Sequence, residues 1–387
     1  MNNQIISAIK KVIGDESRPV ALHEPLFCGN EEKYVASCIS SGWVSSVGEF
    51  VDRFERELAG VCGAKYAVAV VNGTCALHVV LAVSGVQPND EVLVPSLTFV
   101  ATANSVSHAS AIPHFVEVEE NSLGICPIKL EQYLQKIATT KNGFTVNKNT
   151  GRVIRAIVPV HVFGHPCQLE NLQKIADKYN LILIEDATEA LGSKIGGKPV
   201  GSHGVAVLSF NGNKIITTGG GGAILMQDEA LYKKLKHLTT TAKKPHQFAF
   251  EHDAVAWNYR LPNLNAALGS AQLEQLPRYI AAKCALAQRY IEAFKNISGL
   301  NILQEPENTK SNYWLVTLVN DKVDKNWRDD TLSALHEAKI LCRPTWTPLH
   351  LLPMYKDNPR ADLQLTENLH KRIISLPSSV KLGLEYV

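Results

Sequence analysis

The segment from Ser209 to Gly222 carries the residue types best suited to covalent chemistry. Lys214 lies there between two apolar runs, 205–209 and 223–226, which predict strands, and a run of four glycines follows at 219–222. A lysine on so tight a connection is either a solvated turn residue, as most lysines are, or a buried amine. A buried amine has a lowered pKa and can form a Schiff base with a carbonyl group. The neighbouring segments have to decide between these two interpretations.

A second chemical segment, Gly73, Thr74 and Cys75, follows the apolar run 66–71. A glycine and a hydroxyl between a strand and a helix place free backbone N–H groups and a helix dipole at one point, which suits a phosphate. The alternative is that Thr74 is only the N-cap of the helix.

A third segment, 183–189, places the carboxylates of Glu185 and Asp186 at the end of an apolar strand, and Glu189 follows three residues later. Two carboxylates at the end of a buried strand are costly without partners. An Asp there can hold a proton on the ring nitrogen of a ligand, and the alternative is a solvated turn. Ser209, five residues before Lys214, adds a hydroxyl.

These three segments together describe a ligand with a phosphate, a basic ring nitrogen and an aldehyde. Pyridoxal 5′-phosphate (PLP) has all three, and its enzymes combine a Schiff-base lysine with an acidic partner for the pyridine nitrogen. The order of phosphate loop, Asp, Ser and Lys along a chain of 387 residues is that of the fold-type I aminotransferases.

Strands and helices alternate from residue 66 onward, which predicts an α/β fold with a mostly parallel sheet between helices. Open sheets of this kind bind ligands at the carboxyl ends of their strands. We expect an N-terminal helical extension at 1–25, a large PLP-binding domain at 26–299 and a smaller α+β domain at 300–387. In that last domain, strands are predicted at 313–319 and 340–346 and a helix at 329–337. The polar segment 139–151 predicts a loop or hairpin insertion.

The composition excludes several other classes of function. The formal net charge of +2 offers no basic excess for nucleic acid or a membrane surface. No apolar run is long enough to span a bilayer, and no signal peptide is evident. The eight cysteines lack the spacing of a metal or redox motif. We therefore expect a cytoplasmic protein with reduced thiols and no metal.

Motifs along most of the chain identify a family. The sequence resembles the DegT/DnrJ/StrS sugar aminotransferases from about Leu26 to the C-terminus. The motifs that carry the resemblance are Ser41-Gly42-Trp43, Asn72-Gly73-Thr74-Cys75-Ala76-Leu77, Pro95-Ser96-Leu97-Thr98-Phe99, Pro159-Val160-His161-Val162-Phe163-Gly164, Glu185-Asp186-Ala187, Ser209-Phe210 through Lys214, Asn258-Tyr259-Arg260-Leu261 and Pro348-Leu349-His350.

The resemblance implies a role for each matching residue. Lys214 forms the Schiff base and shuttles the proton, and Asp186 pairs with the pyridine nitrogen. Glu189 stands where the family often has a Gln facing the ring hydroxyl. The remaining expected contacts are the phosphate with Gly73, Thr74, Cys75 and Ser209, the ring face with Phe99, the neighbouring subunit's phosphate with Asn258, and the sugar with Trp346 and His350. Core packing for Phe99 and a helix cap for Asn258 are the alternatives.

The implied function is transfer of an amino group from glutamate to C4 of a nucleotide-linked 4-keto-6-deoxysugar, by a homodimer with shared active sites. The N-terminal helix and the 139–151 insertion resemble the subgroup that acts on UDP-linked 2-acetamido sugars. One departure is Gly220, where the family usually has an acidic residue. The alternatives are a PLP-dependent nucleotide-sugar dehydratase, whose relatives replace the lysine with His, and a PLP-binding regulator without turnover.

Overall fold

The structure, a computed structural model, describes residues 1–14 and 18–387 of the chain. The helix predicted at 329–337 is present and begins four residues earlier, at Lys325. The helices are α1 (Asn2–Ile13), α2 (Glu31–Ser41), α3 (Glu49–Cys62), α4 (Gly73–Val83), α5 (Ala101–His108), α6 (Pro127–Ile137), α7 (Leu169–Lys178), α8 (Glu229–Thr239), α9 (Asn263–Phe294), α10 (Lys325–Glu337) and α11 (Gln364–His370).

The strands are short, as expected for an α/β protein. They are β1 (Tyr66–Val70), β2 (Glu91–Pro95), β3 (Ile112–Val116), β4 (Ala138–Lys141), β5 (Phe144–Asn147), β6 (Ile154–Ile157), β7 (Ile182–Asp186), β8 (Lys194–Ile195), β9 (Lys198–Pro199), β10 (Val205–Ser209), β11 (Gly222–Met226), β12 (Leu300–Ile302), β13 (Thr309–Lys310), β14 (Thr317–Asn320), β15 (Arg343–Pro344) and β16 (Ile373–Ser375).

The large sheet has the order β1-β11-β10-β7-β6-β2-β3. Its strands are parallel except β11, which runs antiparallel to both β1 and β10. The predicted mostly parallel sheet is therefore confirmed. Because β11 reverses direction, its amino end lies at the same edge as the carboxyl ends of the other strands. That edge gathers the segments after β1, β2, β7 and β10 and the glycines before β11.

Helices cover both faces of this sheet. One apolar cluster packs α3, α6, α7 and the first half of α9 on one face, and a second packs α4, α5 and α8 on the other. Strand burial is nearly continuous, as in β2 and β11, which is typical of a sheet enclosed by helices.

The C-terminal region forms a separate antiparallel sheet of order β12-β14-β16-β15. Helix α1 packs into the same apolar cluster as this sheet and the end of α9. Ile5 and Ile9 of α1 are fully buried there. The N-terminal helix therefore packs with the C-terminal sheet although 286 residues separate Asn2–Ile13 from the start of β12 at Leu300.

Two predicted strands of this region are too long. The prediction at 313–319 is wrong before Thr317, because Tyr313 adopts a left-handed φ of 46°. The side chain of Asn312 also ties this segment to the large domain by donating to the carbonyls of Glu189 and Leu191. The prediction at 340–346 shrinks to Arg343–Pro344.

The polar insertion is a hairpin of β4 and β5. It is fastened to the large sheet by Glu91, which is fully buried and accepts from Asn147 Nδ2 at 2.8 Å and Thr150 Oγ1 at 2.5 Å. His114 Nδ1 lies 2.8 Å from the same carboxylate. Within residues 1–14 and 18–387, no helix has the length and apolar character of a bilayer span.

Candidate active site

A cavity of about 350 Å³ lies at the edge of the large sheet where the strand ends meet. This volume is in the range of small-molecule sites. It is lined by Asn72, Gly73, Thr74, Leu77, Thr98, Phe99, Ala101, Thr102, Asp186, Thr188, Glu189, Ser209, Asn211, Asn213, Lys214, Trp314 and Trp346. The structure therefore brings together the three chemical segments, which are far apart in the sequence.

Lys214 enters the cavity from a turn after β10. Its amide donates to the carbonyl of Asn211 at 2.9 Å, which closes the turn, and its side chain is only 13% exposed. The amine lies 4.0 Å from the centre of the Trp314 ring. The solvated-turn interpretation of Lys214 is therefore wrong.

The electrostatic setting of Lys214 favours a reactive amine. Burial lowers its pKa, while the carboxylates of Glu189 and Asp186 act in the opposite direction. Glu189 Oε1 lies 3.7 Å from the amine. Burial raises the pKa of Glu189 to about 7, opposed by the charge of Lys214. The pKa of Lys214 is thus lowered and that of Glu189 is raised, and shifted pKa values of this kind are common at catalytic sites.

Asp186 ends β7 and is held by two threonines. Thr102 Oγ1 donates to its Oδ2 at 2.8 Å, and Thr188 Oγ1 donates to its Oδ1 at 2.7 Å. The residue is 2% exposed, so the solvated-turn alternative is wrong. These donors fix a carboxylate inside the cavity, where it can pair with a cationic ring nitrogen.

A phosphate cradle lies at the start of α4. Asn72 is the N-cap and its Oδ1 accepts from the amide of Cys75 at 2.8 Å, so the N-cap alternative for Thr74 is wrong. The first amides of a helix, here those of Gly73 and Thr74, have no intrahelical acceptor. Gly73, Thr74 and Ser209 all line the cavity, so these amides and the hydroxyls of Thr74 and Ser209 are suited to hold a phosphate there.

Gly73 is required for this close approach. A Cβ on Gly73 would lie 3.1 Å from the Cβ of Ser209 and 3.1 Å from Cγ2 of Thr188. Cys75, by contrast, does not line the cavity, because its amide is taken by the Asn72 side chain. The expectation that Cys75 helps to hold the phosphate is not supported by this geometry.

Aromatic side chains form the walls of the cavity. Phe99 is 52% exposed, so core packing does not explain it. Trp346 stacks on Phe163 with ring centres 4.9 Å apart. Phe163 has a left-handed φ of 56°, an uncommon conformation for a bulky residue, and its amide donates to Glu189 Oε2 at 2.8 Å. The aromatic wall and the acidic group are therefore coupled through Phe163.

Besides Cys75, two predicted site residues lie outside the cavity of this chain. His350 is buried, with Nδ1 2.7 Å from Ser96 Oγ and Nε2 3.2 Å from Glu367 Oε1. Asn258 is exposed, and its Oδ1 accepts from Arg260. It caps no helix, since Pro262 is the N-cap of α9. The structure leaves Asn258 on the surface of a single chain.

Among the cavity residues that were not predicted from the sequence, Thr102, Thr188 and Trp314 contact Asp186 or Lys214 through their side chains. Thr102 and Thr188 could have been found as hydroxyls beside the strand ends that carry Phe99 and Asp186. Trp314 offered no such signal, because it follows Lys214 by a hundred residues. Its indole Nε1 donates to the carbonyl of Asn213 at 2.7 Å.

The donor set fits PLP. An enclosed amine suits the aldehyde, a fixed carboxylate suits the ring nitrogen, and helix amides with two hydroxyls suit the phosphate. Among the described residues, no group of three or more His, Cys, Asp or Glu side chains is arranged to hold a metal ion.

Comparisons with known proteins agree with this geometry. The DegT/DnrJ/EryC1/StrS aminotransferase family model matches residues 28–387. A GDP-perosamine synthase from Vibrio cholerae is 37% identical over 364 residues, covering 93% of this chain and 94% of that protein. EpsN of Bacillus subtilis, which carries the name of a pyridoxal phosphate-dependent aminotransferase, is 34% identical over 366 residues, covering 93% and 91%.

A solved structure shows the same fold. It is a DegT DnrJ EryC1 StrS aminotransferase from Brucella abortus, 28% identical, with a TM-score of 0.81 and coverage of 91% of this chain and 90% of that one. Sequence and structure thus agree over nearly the whole length. The chain belongs to the DegT/DnrJ/EryC1/StrS aminotransferase family and is a PLP-dependent transaminase of nucleotide sugars.

Proposed function

We propose that the protein transfers an amino group from glutamate to C4 of a nucleotide-linked 4-keto-6-deoxysugar, in the synthesis of an amino sugar for a surface polysaccharide or glycan. The observation that carries the proposal is the buried amine of Lys214 beside Asp186 and a helix-end phosphate cradle. PLP supplies an aldehyde for that amine and a ring that accepts electrons.

Each cavity residue has a proposed task. Lys214 binds the aldehyde and moves the proton between substrate and cofactor, for which it has to be neutral. Burial lowers the pKa of its amine, so the neutral form is favoured at lower pH than for a solvated lysine. Asp186 holds the ring nitrogen, and Phe99 covers the ring face. Ser209 and the start of α4 hold the phosphate.

The proposed assembly is a homodimer in the cytoplasm, with Asn258 completing the phosphate site of the neighbouring subunit. Support comes from the exposed position of Asn258 and from the apolar surface close to it in the sequence. Phe248, Phe250 and Val255 are 81%, 80% and 98% exposed. Large exposed apolar side chains of this kind mark interaction surfaces.

The nucleotide is the least constrained part of the substrate. The 2-acetamido UDP-sugar expected from the N-terminal helix and the hairpin competes with a GDP-linked sugar. The GDP-linked sugar is favoured by relatives named GDP-perosamine synthase at 35–37% identity. Trp346 lines the cavity where the sugar binds in this proposal. His350 acts there only if its bonds to Ser96 and Glu367 rearrange.

Two other functions remain as alternatives. A PLP-dependent sugar dehydratase is disfavoured because Lys214 is present and faces the cavity. A PLP-binding regulator without turnover is disfavoured because the cavity holds a complete set of reactive groups. Stoichiometric consumption of glutamate separates the transaminase from both.

The deciding experiment is an absorption spectrum of the purified protein with PLP, before and after glutamate. We expect a visible band from the lysine-linked cofactor that bleaches with glutamate and returns when a GDP- or UDP-linked 4-keto-6-deoxysugar is added. The sugar that restores the band identifies the nucleotide. A band that ignores glutamate would contradict the transaminase assignment, and no band at all would contradict the role of Lys214.

A further inference from the structure

Glu189 and Lys214 face each other across the cavity. The two oxygens of the carboxylate differ in their surroundings. Oε2 accepts the backbone N–H of Phe163 at 2.8 Å, whereas Oε1 lies 3.7 Å from the Lys214 amine. The Glu189 side chain is only 3% exposed. One oxygen is therefore anchored and the other faces the reactive nitrogen.

The charges that act on Glu189 come from two residues of the same cavity. The positive charge of Lys214 favours the carboxylate, and the negative charge of Asp186 opposes it. Burial also disfavours the ionised carboxylate and is the largest effect, so the pKa of Glu189 rises to about 7. The ammonium of Lys214 is thus the charge that keeps Glu189 ionised near neutral pH, together with the N–H of Phe163.

When the nitrogen of Lys214 bonds to the aldehyde carbon, the ammonium group no longer exists. A carbon–nitrogen double bond forms, the carbon–oxygen bond of the aldehyde breaks, and two hydrogens of the neutral amine leave with the oxygen as water. The third proton of the ammonium has to leave before this step. Glu189 Oε1 faces the nitrogen at a distance that a small rotation of the lysine side chain closes to a hydrogen bond, as is common in ligand-free sites.

We propose that Glu189 takes this proton on Oε1 and keeps it, as an un-ionised carboxylic acid, for as long as Lys214 is engaged. The inference rests on the role proposed above for Lys214. Oε1 carries the proton because Oε2 already accepts from Phe163. With the lysine charge gone, Asp186 and burial both disfavour a second carboxylate. Glu189 then presents an O–H donor to the bound ligand, as an amide side chain would.

The first test is infrared difference spectroscopy of the protein with and without PLP at pH 8. We expect the wild type to gain the carbonyl stretch of a protonated carboxylic acid, shifted by carbon-13 labelling of glutamate. Glu189→Gln should lose this signal. Glu292→Gln, which changes a side chain exposed to solvent, should keep it. A wild type without the signal, or a signal that survives in Glu189→Gln, would overturn the proposal.

The second test is the pH dependence of the PLP dissociation constant, measured by equilibrium dialysis for the wild type and Glu189→Gln. Because the proton passes from Lys214 to Glu189, the wild type binds PLP without releasing a proton, whereas Glu189→Gln has to release the lysine proton to solvent and so binds more tightly as pH rises. The dissociation constant of the wild type, divided by that of Glu189→Gln, should therefore rise between pH 7 and 9, by up to about tenfold per pH unit. A constant ratio would contradict proton retention by Glu189.

Failure of this inference can be separated from failure of the proposed function. If the visible band of the lysine-linked cofactor is missing in the wild type, or persists in Lys214→Ala, the role of Lys214 is wrong. If the band forms and needs Lys214, but no acid signal accompanies it, only the proton role of Glu189 is wrong.

Discussion

The indole ring of Trp314 lies against the amine of Lys214, 4.0 Å from the ring centre, and its Nε1 donates to the carbonyl of the preceding residue, Asn213, at 2.7 Å. Trp314 belongs to the segment that leads into β14 of the small sheet. A residue of the C-terminal region therefore holds both the backbone and the side chain of the reactive lysine turn.

Replacing Trp314 should separate these two contacts. Trp314→Phe keeps an aromatic face for the amine but loses the indole N–H, whereas Trp314→Leu loses both. A cationic amine over an aromatic face is stabilised by about 0.5–2 kcal/mol, so loss of the ring favours the neutral amine of Lys214 in the Leu variant. Its acid limb of kcat against pH should move to lower pH, since the ring favours the ammonium. Equal pH profiles for both variants would contradict a role for the ring face.

Lys214→Ala should abolish turnover and leave the fold intact. Burial of the amine is itself unfavourable, and Glu189, whose pKa is raised to about 7, can take a proton when the lysine charge is lost. We expect no detectable transamination and an unfolding temperature equal to or above that of the wild type. The matched control is Lys178→Ala, which changes an exposed lysine and should keep full activity. Substantial residual transamination in Lys214→Ala would exclude the assignment.

A side chain should fit at Gly220 but not at Gly222, two residues later. The nearest atom to a Cβ on Gly220 is the carbonyl oxygen of Val71 at 4.0 Å, whereas a Cβ on Gly222 would lie 2.5 Å from the carbonyl carbon of Asn72. Gly220→Ala should change the free energy of unfolding by less than about 0.5 kcal/mol. Gly222→Ala should cost about 1–3 kcal/mol, because backbone has to shift. Urea unfolding of both variants measures the difference.

If both variants are equally destabilised, the space beside Gly220 is not available. If Gly220→Ala is as stable as the wild type, the steady-state kinetics with the nucleotide sugar can be compared between variants at this position. An acidic residue at this position, Gly220→Glu, should then change the KM for the nucleotide sugar more than kcat, because it adds a charge to the glycine turn without replacing a residue that lines the cavity.

Glu91 should be far more important for stability than a surface carboxylate. Its buried side chain holds His114, Asn147 and Thr150, and breaking a buried pair typically costs about 3–5 kcal/mol. Glu91→Gln should lose an amount of this order in urea unfolding. Glu131→Gln, which breaks the exposed pair with Lys178, should cost less than about 1 kcal/mol. Equal costs would contradict the anchoring role of Glu91.

His165 should make the protein sensitive to acid. Its ring is fully buried, neither ring nitrogen has a hydrogen-bond partner in the described part of the chain, and burial lowers its pKa to about 4. Since the unfolded chain takes up this proton near pH 6.5, stability falls as pH drops from 6.5 to 4, by up to about 3 kcal/mol.

His165→Leu should remove most of that loss, and His203→Leu, at an exposed position, should not. Urea unfolding at pH 4.5, 5.5 and 6.5 checks this. Parallel pH dependences of the wild type and His165→Leu would show that other groups cause the acid sensitivity.

The sequence predicted the large sheet and the polar groups at its strand ends because both depend on local patterns. Alternating strands and helices determine a parallel sheet, and a parallel sheet places the ends of its strands at one edge, so Asp186, Ser209 and Lys214 had to meet. Phe99, which the family resemblance and not a local pattern assigned to the ring face, proved exposed, as a ligand contact requires. These conclusions needed no knowledge of distant contacts.

The predictions that were wrong or missing share a different cause: they depend on contacts between residues that are far apart in the sequence. Trp314 reaches Lys214 only because Asn312 fastens its segment to the large domain, and the same fastening, with the left-handed Tyr313, shortened the predicted strand. His350 lies beside a cavity-lining segment but is turned toward Ser96. No local pattern distinguishes these outcomes.

Helix α9 has a consequence for how the substrate enters. At its start, Asn265 holds the carbonyls of Thr218 and Gly220, and near its end Tyr290 donates to the carbonyl of Pro377. A helix of 32 residues is about 48 Å long, so one rod joins the glycine turn of the large sheet to the packing of the small one. The two sheets can move apart only if this helix bends, and Pro277, which removes a backbone hydrogen bond near its middle, is where bending costs least. A domain movement that opens the cavity to a nucleotide sugar therefore has to bend α9 near Pro277, and without such a movement access depends on short segments at the mouth of the cavity.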